Sequence, residues 1–465
     1  MSSEPSHLHR KPHWQGLAPF AVAFVGCLMS IAAFFPGYMS PDSLFQLIQG
    51  RTNEFADWHP PLMAWIWGKL DALWAGPAPM LVVHNIFFWL GATLLFSVFL
   101  RSYWVSSTSV LFLGFFPSVL LLLSTIWKDI GMASCFLFGI GLLAQLQLQK
   151  SLPQVVRKLF YIAIFISFFV AIGLRHNALP AVVPLLFWLM YLCLSSPVLQ
   201  LQKWKHIGIC FTAALGIAVA IFLVNGAIGR ILTNDKTTFP IQQILLHDLL
   251  SISVRTEQNL LPAFTYMQHG DAFNFVELKK LYNPHNVVQF YDSGEGRKPV
   301  KNIVNAEDFQ ILKESWVQSV TQYPGKYLRG RFETLNYMLA FWNVPTCYSY
   351  HAGIEGNEYK IAAPKWNNSV HKRYSFFDGT FLYRPWIYLA LNFVCLLAMF
   401  KFNDPRKGIV AAVSLSGIFY TLPYLLVSTG CDFRLTWWTT CSAILSSLMC
   451  LGIAFTGWKK AALAN

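Results

Sequence analysis

The chain has 465 residues, of which 55% are hydrophobic, 16% aromatic and only 12% charged, with a mean hydropathy of +0.44, whereas an average soluble domain carries about 25% charged residues. That balance excludes a soluble globular protein and marks an integral membrane protein. The formal net charge is +13, and because the basic residues sit in loops between apolar runs it reads as membrane topology and not as nucleic-acid binding.

At roughly 20 apolar residues per helical crossing, the sequence predicts about ten spans. The first, 15–35, follows the basic stretch HLHRKPHW and lacks a clear small-residue cleavage site, so it is expected to remain as an anchor. Residues 36–78 form a first outer loop with two amphipathic helices expected along the membrane surface. One is DSLFQLIQG, with Leu44, Leu47 and Ile48 on one side, and the other the Trp-rich PPLMAWIWGKLDALW, with Lys69 and Asp71 as its polar residues. Between them WHPP sets His59 before two prolines, which disfavour helix there and fix a turn. Spans 79–100, 108–126, 130–147, 159–174, 178–196 and 207–228 complete an N-terminal bundle of about seven helices over 1–228, and the third to sixth are short enough to pair differently.

Residues 229–384 form the second long outer segment, expected to be a mainly helical outer domain. It opens with IQQILLHDLLSISVR, where Ile241, Ile244, Leu245, Leu249 and Ile252 follow helical spacing and Gln242, Gln243, His247, Asp248 and Ser251 fill the other face. A polar loop from about 283 to 305 precedes AEDFQILKESWVQSVTQ and YPGKYLRGRFETLNYMLAFW, both helix-like. Spans 385–400, 408–428 and 436–456 close the chain as about three helices over 385–465.

Alternate loops carry Arg10, Lys11, Arg101, Lys150, Arg157, Lys158, Lys203, Lys205, Lys401, Arg406, Lys407, Lys459 and Lys460, against Glu4 and Asp404 as acids. The other short loops hold only Lys128, Arg175 and Arg434 as bases. The positive-inside bias therefore places both termini in the cytoplasm with an even number of spans. Seven of the nine cysteines fall inside spans; Cys347 and Cys431 would face an oxidising outer space, where a disulfide between them could form. No Cys or His spacing of metal-site type occurs.

No Asp, Glu, Lys or Arg falls in the middle of a span, and only His84 approaches that position, which weakens a coupled-transporter reading. The charges crowd the outer ends instead: Asp42 in SPDSLFQL, Lys128 and Asp129 in WKD, Arg175 and His176 in RHN, and Asp432 and Arg434 in CDFR. If the spans bundle, these stubs converge. Three cations there suit an anionic headgroup, and a carboxylate suits proton abstraction from a hydroxyl. Plainer roles stand beside each. Asp42 could cap the helix after Ser40 and Pro41; Asp129 and Arg175 could only meet helix dipoles; Lys128 could snorkel; Asp432 and Arg434 could pair with each other; His59 could be scaffold. His247 and Asp248 read as a solvated face, Arg329 and Arg331 as acceptor-binding or membrane-flanking, and Asn367 as a glycosylation acceptor in NNS.

Taken together, PGYMSPDSLFQL followed by WHPP, the WKD and RHN stubs, HDLLSIS, SWVQSVTQYPGKYLRGRF and the closing CDFR resemble a bacterial branch of the GT-C superfamily of membrane glycosyltransferases. The resemblance implies an all-α polytopic fold in a bacterial inner membrane with its active site on the outer face. It implies an inverting transfer of sugar from a polyprenyl-phosphate-linked donor, a membrane lipid, to a polysaccharide, lipid or protein acceptor. Asp42 corresponds to the first-loop acid that serves as base, and Lys128, Arg175 and Arg434 to the basic residues that bind the lipid phosphate; Asp129, Asp432, His59 and His176 join the substrate-binding set. Many members carry paired acids in that loop, whereas here Glu54 and Asp57 lie more than ten residues beyond Asp42, and Leu435 stands where relatives tend to have an aromatic. A divalent metal, Mg or Mn, is left open. So is a transporter or flippase of a lipid-linked saccharide; a membrane acyltransferase finds no paired His and Asp or Ser nucleophile motif.

Overall fold

A computed structural model describes residues 14–100, 102–194, 202–265, 267–268, 271–272, 275–288, 300–341 and 344–462. Arg10, Lys11 and Arg101 lie outside the described residues, as do the side chains of Lys459 and Lys460 and most of the 283–305 loop.

The described chain is helical, apart from a two-residue hairpin pairing Met267–Gln268 with Asp271–Ala272. In order the helices are α1 (Trp14–Phe34), α2 (Pro41–Thr52), α3 (Leu62–Asp71), α4 (Ala78–Phe99), α5 (Tyr103–Phe115), α6 (Pro117–Leu123), α7 (Lys128–Leu148), α8 (Gln154–Leu174), α9 (Leu179–Leu194), α10 (Lys203–Leu232), α11 (Gln242–Thr256), α12 (Phe275–Leu281), α13 (Ala306–Gln322), α14 (Pro324–Leu339), α15 (Lys365–Tyr374), α16 (Pro385–Ala398), α17 (Lys407–Thr421), α18 (Tyr424–Val427) and α19 (Trp437–Ala462).

Eight apolar helical segments are long enough to cross a membrane: α1, α4, α7, α8, α9, α10, α17 with α18, and α19. The pair α5 and α6 makes a ninth if counted as one span, bent by 64° where Pro117 withholds an amide donor. The 14-residue α16 is a shorter apolar helix. These segments fall at each of the ten positions expected from hydropathy, so the protein is an all-α multi-pass membrane protein.

Because successive spans run antiparallel, the end of α1, the start of α7, the end of α8 and the start of α19 meet at one end of the bundle. The loops with Lys150, Arg157, Lys158, Lys203, Lys205, Lys401, Arg406 and Lys407 fall at the other end, where Arg406 pairs with Asp404 at 2.8 Å and donates to Phe99 O at 2.6 Å. The central helix is α7, buried almost throughout, while α8 and α10 expose most of their surface to the surroundings. It packs on α4 and α8; Gly91 of α4 and Gly141 of α7 let the first pair of backbones approach, since a Cβ at Gly141 would lie 2.6 Å from Gly91 O.

Between α1 and α4 the first outer loop forms α2 and α3. Helices α2 and α3 pack on each other, and the face that α2 buries is Ser43, Gln46, Leu47, Gln49 and Gly50. The backbones touch where a Cβ at Gly68 would stand 2.3 Å from Gly50 O and one at Gly50 2.6 Å from Ala64 O. Arg51 closes the far end on Asp71 with two 2.9 Å bonds.

In the outer segment α11, α13 and α14 pack around a second core of Leu245, Leu246, Leu249, Val300, Ile303 and Leu312, while Met338 and Leu339 at the end of α14 join the main one. Here the expected solvated face of α11 is corrected: His247 and Asp248 are buried. Asp248 accepts from Arg331 at 2.6 Å and from the Trp316 indole at 2.8 Å. Arg331 also donates to Ser428 O at 2.8 Å, so it neither meets an acceptor nor flanks the membrane. Asn367 is buried, its amide donating to Phe35 O at 3.2 Å, which leaves no accessible glycosylation acceptor.

Candidate functional site

Four segments far apart in sequence meet where α1 ends. Tyr38 and Met39 run extended between two of them. On one side Tyr38 N–H donates to Ser124 O and Ile126 N–H to Tyr38 O, both at 2.9 Å; on the other Met39 N–H donates to Gly353 O and Glu355 N–H to Met39 O, both at 3.0 Å. Ser40 follows as the N-cap of α2, its N–H donating to Ser43 Oγ at 3.3 Å. The Trp127 indole donates to Ser40 Oγ at 2.7 Å, and Ser43 Oγ to Ile126 O at 2.7 Å. Asp42 thus stands in the first turn of α2, where the helix dipole favours its charge, but the cap is Ser40 and the Asp42 carboxylate is free for other partners.

Those partners come from the other stubs. Asp42 Oδ2 accepts from Arg434 Nη1 at 2.7 Å, and Asp42 Oδ1 lies 3.5 Å from His59 Nε2. Arg434 also donates through Nε to Asp432 at 3.0 Å and lies over the Trp127 ring, 4.7 Å from its centroid, a cation–π contact. His59 Nδ1 is hydrogen-bonded to Lys128 Nζ. The WHPP turn is tied in place by Asp57, whose Oδ1 accepts from the Thr238 amide at 2.7 Å and its hydroxyl at 2.6 Å.

One residue along α7 a second pair begins. Asp129, 1% exposed, accepts at Oδ1 from Arg175 Nε at 2.7 Å and from the Tyr420 hydroxyl at 3.4 Å. Its Oδ2 is buried with no hydrogen-bond partner among the described residues. Asn177 of the RHN stub donates to the Tyr424 hydroxyl. His176 is exposed, its ring edge-on to Phe222 at 5.5 Å, and has no hydrogen bond to either set. Of the expected residues, Asp432, Arg434, Asp42, His59 and Lys128 form one connected chain of contacts, Asp129 and Arg175 a neighbouring pair, and His176 stands apart.

The charges set one another's protonation. Burial alone would raise the Asp42 pKa, but the Arg434 charge, the His59 hydrogen bond and the Lys128 charge outweigh it and hold the carboxyl well below its usual range. Burial first, and then the Lys128 charge, push His59 down to about 4 against the pull of Asp42. The ring is therefore neutral at pH 7, so Nδ1 accepts from Lys128 and Nε2–H faces Asp42. Burial raises Asp432, with Arg434 opposing. Arg175 is desolvated, yet Asp129 and the nearby tyrosines hold it firmly protonated. Arg434 has two carboxylates and Arg175 one, whereas Lys128, 4% exposed, has no carboxylate partner among the described residues; its hydrogen bond is to His59.

Among the described residues one group of His, Cys or acidic side chains has three ligand atoms within 4.8 Å of one another: His285, Cys347 and Cys431. The two cysteines are joined in a disulfide, with Cα atoms 5.7 Å apart, the pairing that sequence alone left open. Asp42, Asp129 and Asp432 make no such group, and both Asp42 oxygens already face cationic or imidazole partners. Among the described residues these acids do not come together as a Mg or Mn site.

Several contributors lack any mark in the sequence. Tyr420 lies inside a span and reads as core; Tyr348 and His351 sit in the loop YSYHAGIEG, where nothing local sets them apart. Trp127 was visible in WKD, but its stacking on Arg434 depends on a residue 307 positions away.

No family model and no curated protein matches the chain. Two solved structures are similar to it. One is an archaeal oligosaccharyltransferase, AglB from Archaeoglobus fulgidus in complex with an inhibitory peptide and a dolichol-phosphate, with a TM-score of 0.39 at 10% identity, over 97% of this chain and 52% of that one. The other is the Archaeoglobus fulgidus oligosaccharyltransferase in the apo form, with a TM-score of 0.41 at 10% identity, over 98% and 52%. The chain spans about half the length of these structures.

Proposed function

We propose that the protein is an inverting glycosyltransferase of GT-C type that moves a sugar from a polyprenyl-phosphate carrier to a glycan, lipid or protein hydroxyl at the outer face of a bacterial inner membrane, with both termini in the cytoplasm. The observation that carries this reading is the chain of contacts Asp432–Arg434–Asp42–His59–Lys128, drawn from distant stubs onto a carboxylate whose side chain keeps 32% of its surface exposed. The disulfide belongs to an oxidising compartment, and the basic loops at the opposite bundle end suit the cytoplasm.

In this reading the acceptor hydroxyl approaches the open side of Asp42. Its oxygen forms a bond to the anomeric carbon as the bond from that carbon to the phosphate oxygen breaks, and the hydroxyl proton passes to Asp42. A carboxylate held so far down is a weak base, so it takes the proton late and contributes by alignment, with His59 Nε2–H steadying Oδ1. The departing lipid phosphate is met by Lys128, the cation of the three that forms no direct ion pair among the described residues, with Arg434 and Arg175 next to it. Asp129, buried and bonded to Arg175, fixes that guanidinium in place. The chemistry uses no metal, so transfer is expected to survive EDTA.

Replacing Asp42 with Asn tests the assignment, because the amide keeps the size and a contact to His59 but cannot take the proton. Transfer should fall by roughly 10²- to 10⁴-fold while binding of a polyprenyl-phosphate sugar stays near wild type. Transfer retained in Asp42→Asn removes the base role.

A further inference from the structure

The loop after α14 is bonded to both halves of the site. At one end Cys347 is disulfide-linked to Cys431, and next to that link Phe433 N–H donates to Tyr348 O at 3.0 Å, one residue before Arg434. At the other end Met39 is held three ways, three residues before Asp42. Its N–H goes to Gly353 O and its carbonyl receives Glu355 N–H and His351 Nε2, each at 3.0 Å. His351 joins the two ends, since its Nδ1 is 2.6 Å from the Tyr348 hydroxyl. A carbonyl only accepts, so Nε2 carries the proton, and burial keeps the ring neutral, leaving Nδ1 to accept from Tyr348.

We propose that residues 347–355 act as a positioning strap, crosslinked to the Arg434 stub and hydrogen-bonded to the Asp42 stub, with His351 as its positioning residue, so that the site is aligned for transfer only while the Cys347–Cys431 bond is intact. This rests on the glycosyltransferase reading above. The stubs share no helix: Asp42 opens α2 and Arg434 precedes α19, and their 2.7 Å contact spans 392 positions. Without the strap Tyr38 keeps its bonds to the 124–126 segment but Met39 loses all three of its own, and the Cys431–Arg434 stub loses its covalent tether. An error of about 1 Å in such alignment costs on the order of 100-fold in rate.

The test compares oxidised wild type, wild type reduced with TCEP and checked by thiol labelling, the Cys347→Ala/Cys431→Ala pair, His351→Leu and His351→Gln. The alanine pair and the reduced wild type should both transfer at least tenfold more slowly in kcat, with donor binding within about twofold, and the alanine pair should not respond to TCEP. His351→Leu should lose as much, His351→Gln should recover most of it because its amide can still donate to Met39 O, and His351→Leu on the alanine pair should cost little more. Hydrogen exchange at residues 38–44 gives a readout that needs no turnover: it should quicken in the alanine pair while α17 stays protected. Unchanged exchange there, or an alanine pair with wild-type kcat, overturns the strap. A wild type that never transfers sugar overturns the glycosyltransferase reading instead, and the exchange result still decides whether the strap holds.

Discussion

Two aspartate–arginine pairs do opposite work. Asp248–Arg331 joins α11 to α14 at 2.6 Å with side chains 3% and 1% exposed, and its remaining bonds go to the Trp316 indole and Ser428 O. Asp42–Arg434 is just as close at 2.7 Å but sits at 32% and 18%, next to Lys128, which forms no direct ion pair among the described residues. The first pair is shut off from solvent, although Arg331 Nε has no hydrogen-bond partner among the described residues, and it holds helices together; the second is open on one side and has a further cation beside it. Equal geometry therefore says little about role, and what separates structure from chemistry is whether the pair stays open to an incoming group.

The comparison sharpens under matched substitutions. Asp42→Asn should cost two to four orders of magnitude in transfer and, being partly exposed, less than about 1 kcal/mol of stability. Asp248→Asn leaves Arg331 buried without its counter-charge and should lower unfolding stability by about 3–5 kcal/mol, read as a drop in thermal midpoint in detergent, with transfer lost only in step with folding. If Asp248→Asn abolished transfer at full stability, the closed pair would be part of the chemistry. Next in size, Lys128→Met should weaken donor binding by roughly ten- to hundredfold, the scale of a charge-assisted hydrogen bond, and Lys128→Arg should keep most of it; an unchanged affinity in Lys128→Met removes the phosphate role.

A smaller effect follows from pH. His59 and His247 are held near 4, against 6.5 for a free imidazole, in both cases chiefly by burial. Below 6.5 the unfolded chain binds protons that the folded one refuses, so their stabilising contribution is complete above 6.5 and drains away as pH falls toward 4. The thermal midpoint should decline over that window, and His247→Gln should flatten part of the slope. Asp42 adds its loss only at lower pH, below the usual carboxylate range; between pH 5 and 8 it stays ionised, and transfer should not be limited by its protonation. Smallest of all, Arg51→Ala removes the pair to Asp71 at the end of α2, worth about 1 kcal/mol or less, and should leave transfer within a few-fold.

The span pattern was legible because a bilayer demands about 20 apolar residues per crossing whatever the partners are, and the stubs were legible because charge concentrated at one end of those spans. Asp42, Lys128, Arg175 and Arg434 stand out as charges at the ends of apolar runs. What stayed hidden was set by distant contacts. The polar face of α11 was read as solvated because amphipathic spacing does not say what covers a face; α13 and α14 cover it, so His247 and Asp248 are interior. The polar side of α2 is buried for the same reason, against α3 and the 124–127 segment. For Asp42 the sequence offers a cap beside the role of base, and only the Ser40–Ser43 geometry shows that Ser40 is the N-cap. Tyr348 and His351 carried no signal, since their importance comes from Met39, more than 300 positions away.

The most direct measurement is turnover in liposomes carrying the purified protein and a polyprenyl phosphate with a labelled sugar. Glycosylation of an added acceptor, with one free polyprenyl phosphate released for each sugar transferred, is the result predicted here, abolished in Asp42→Asn. Donor that reaches the opposite leaflet intact, with its sugar still attached and at the same rate in Asp42→Asn, would contradict it and make the same cations the binding site of a flippase.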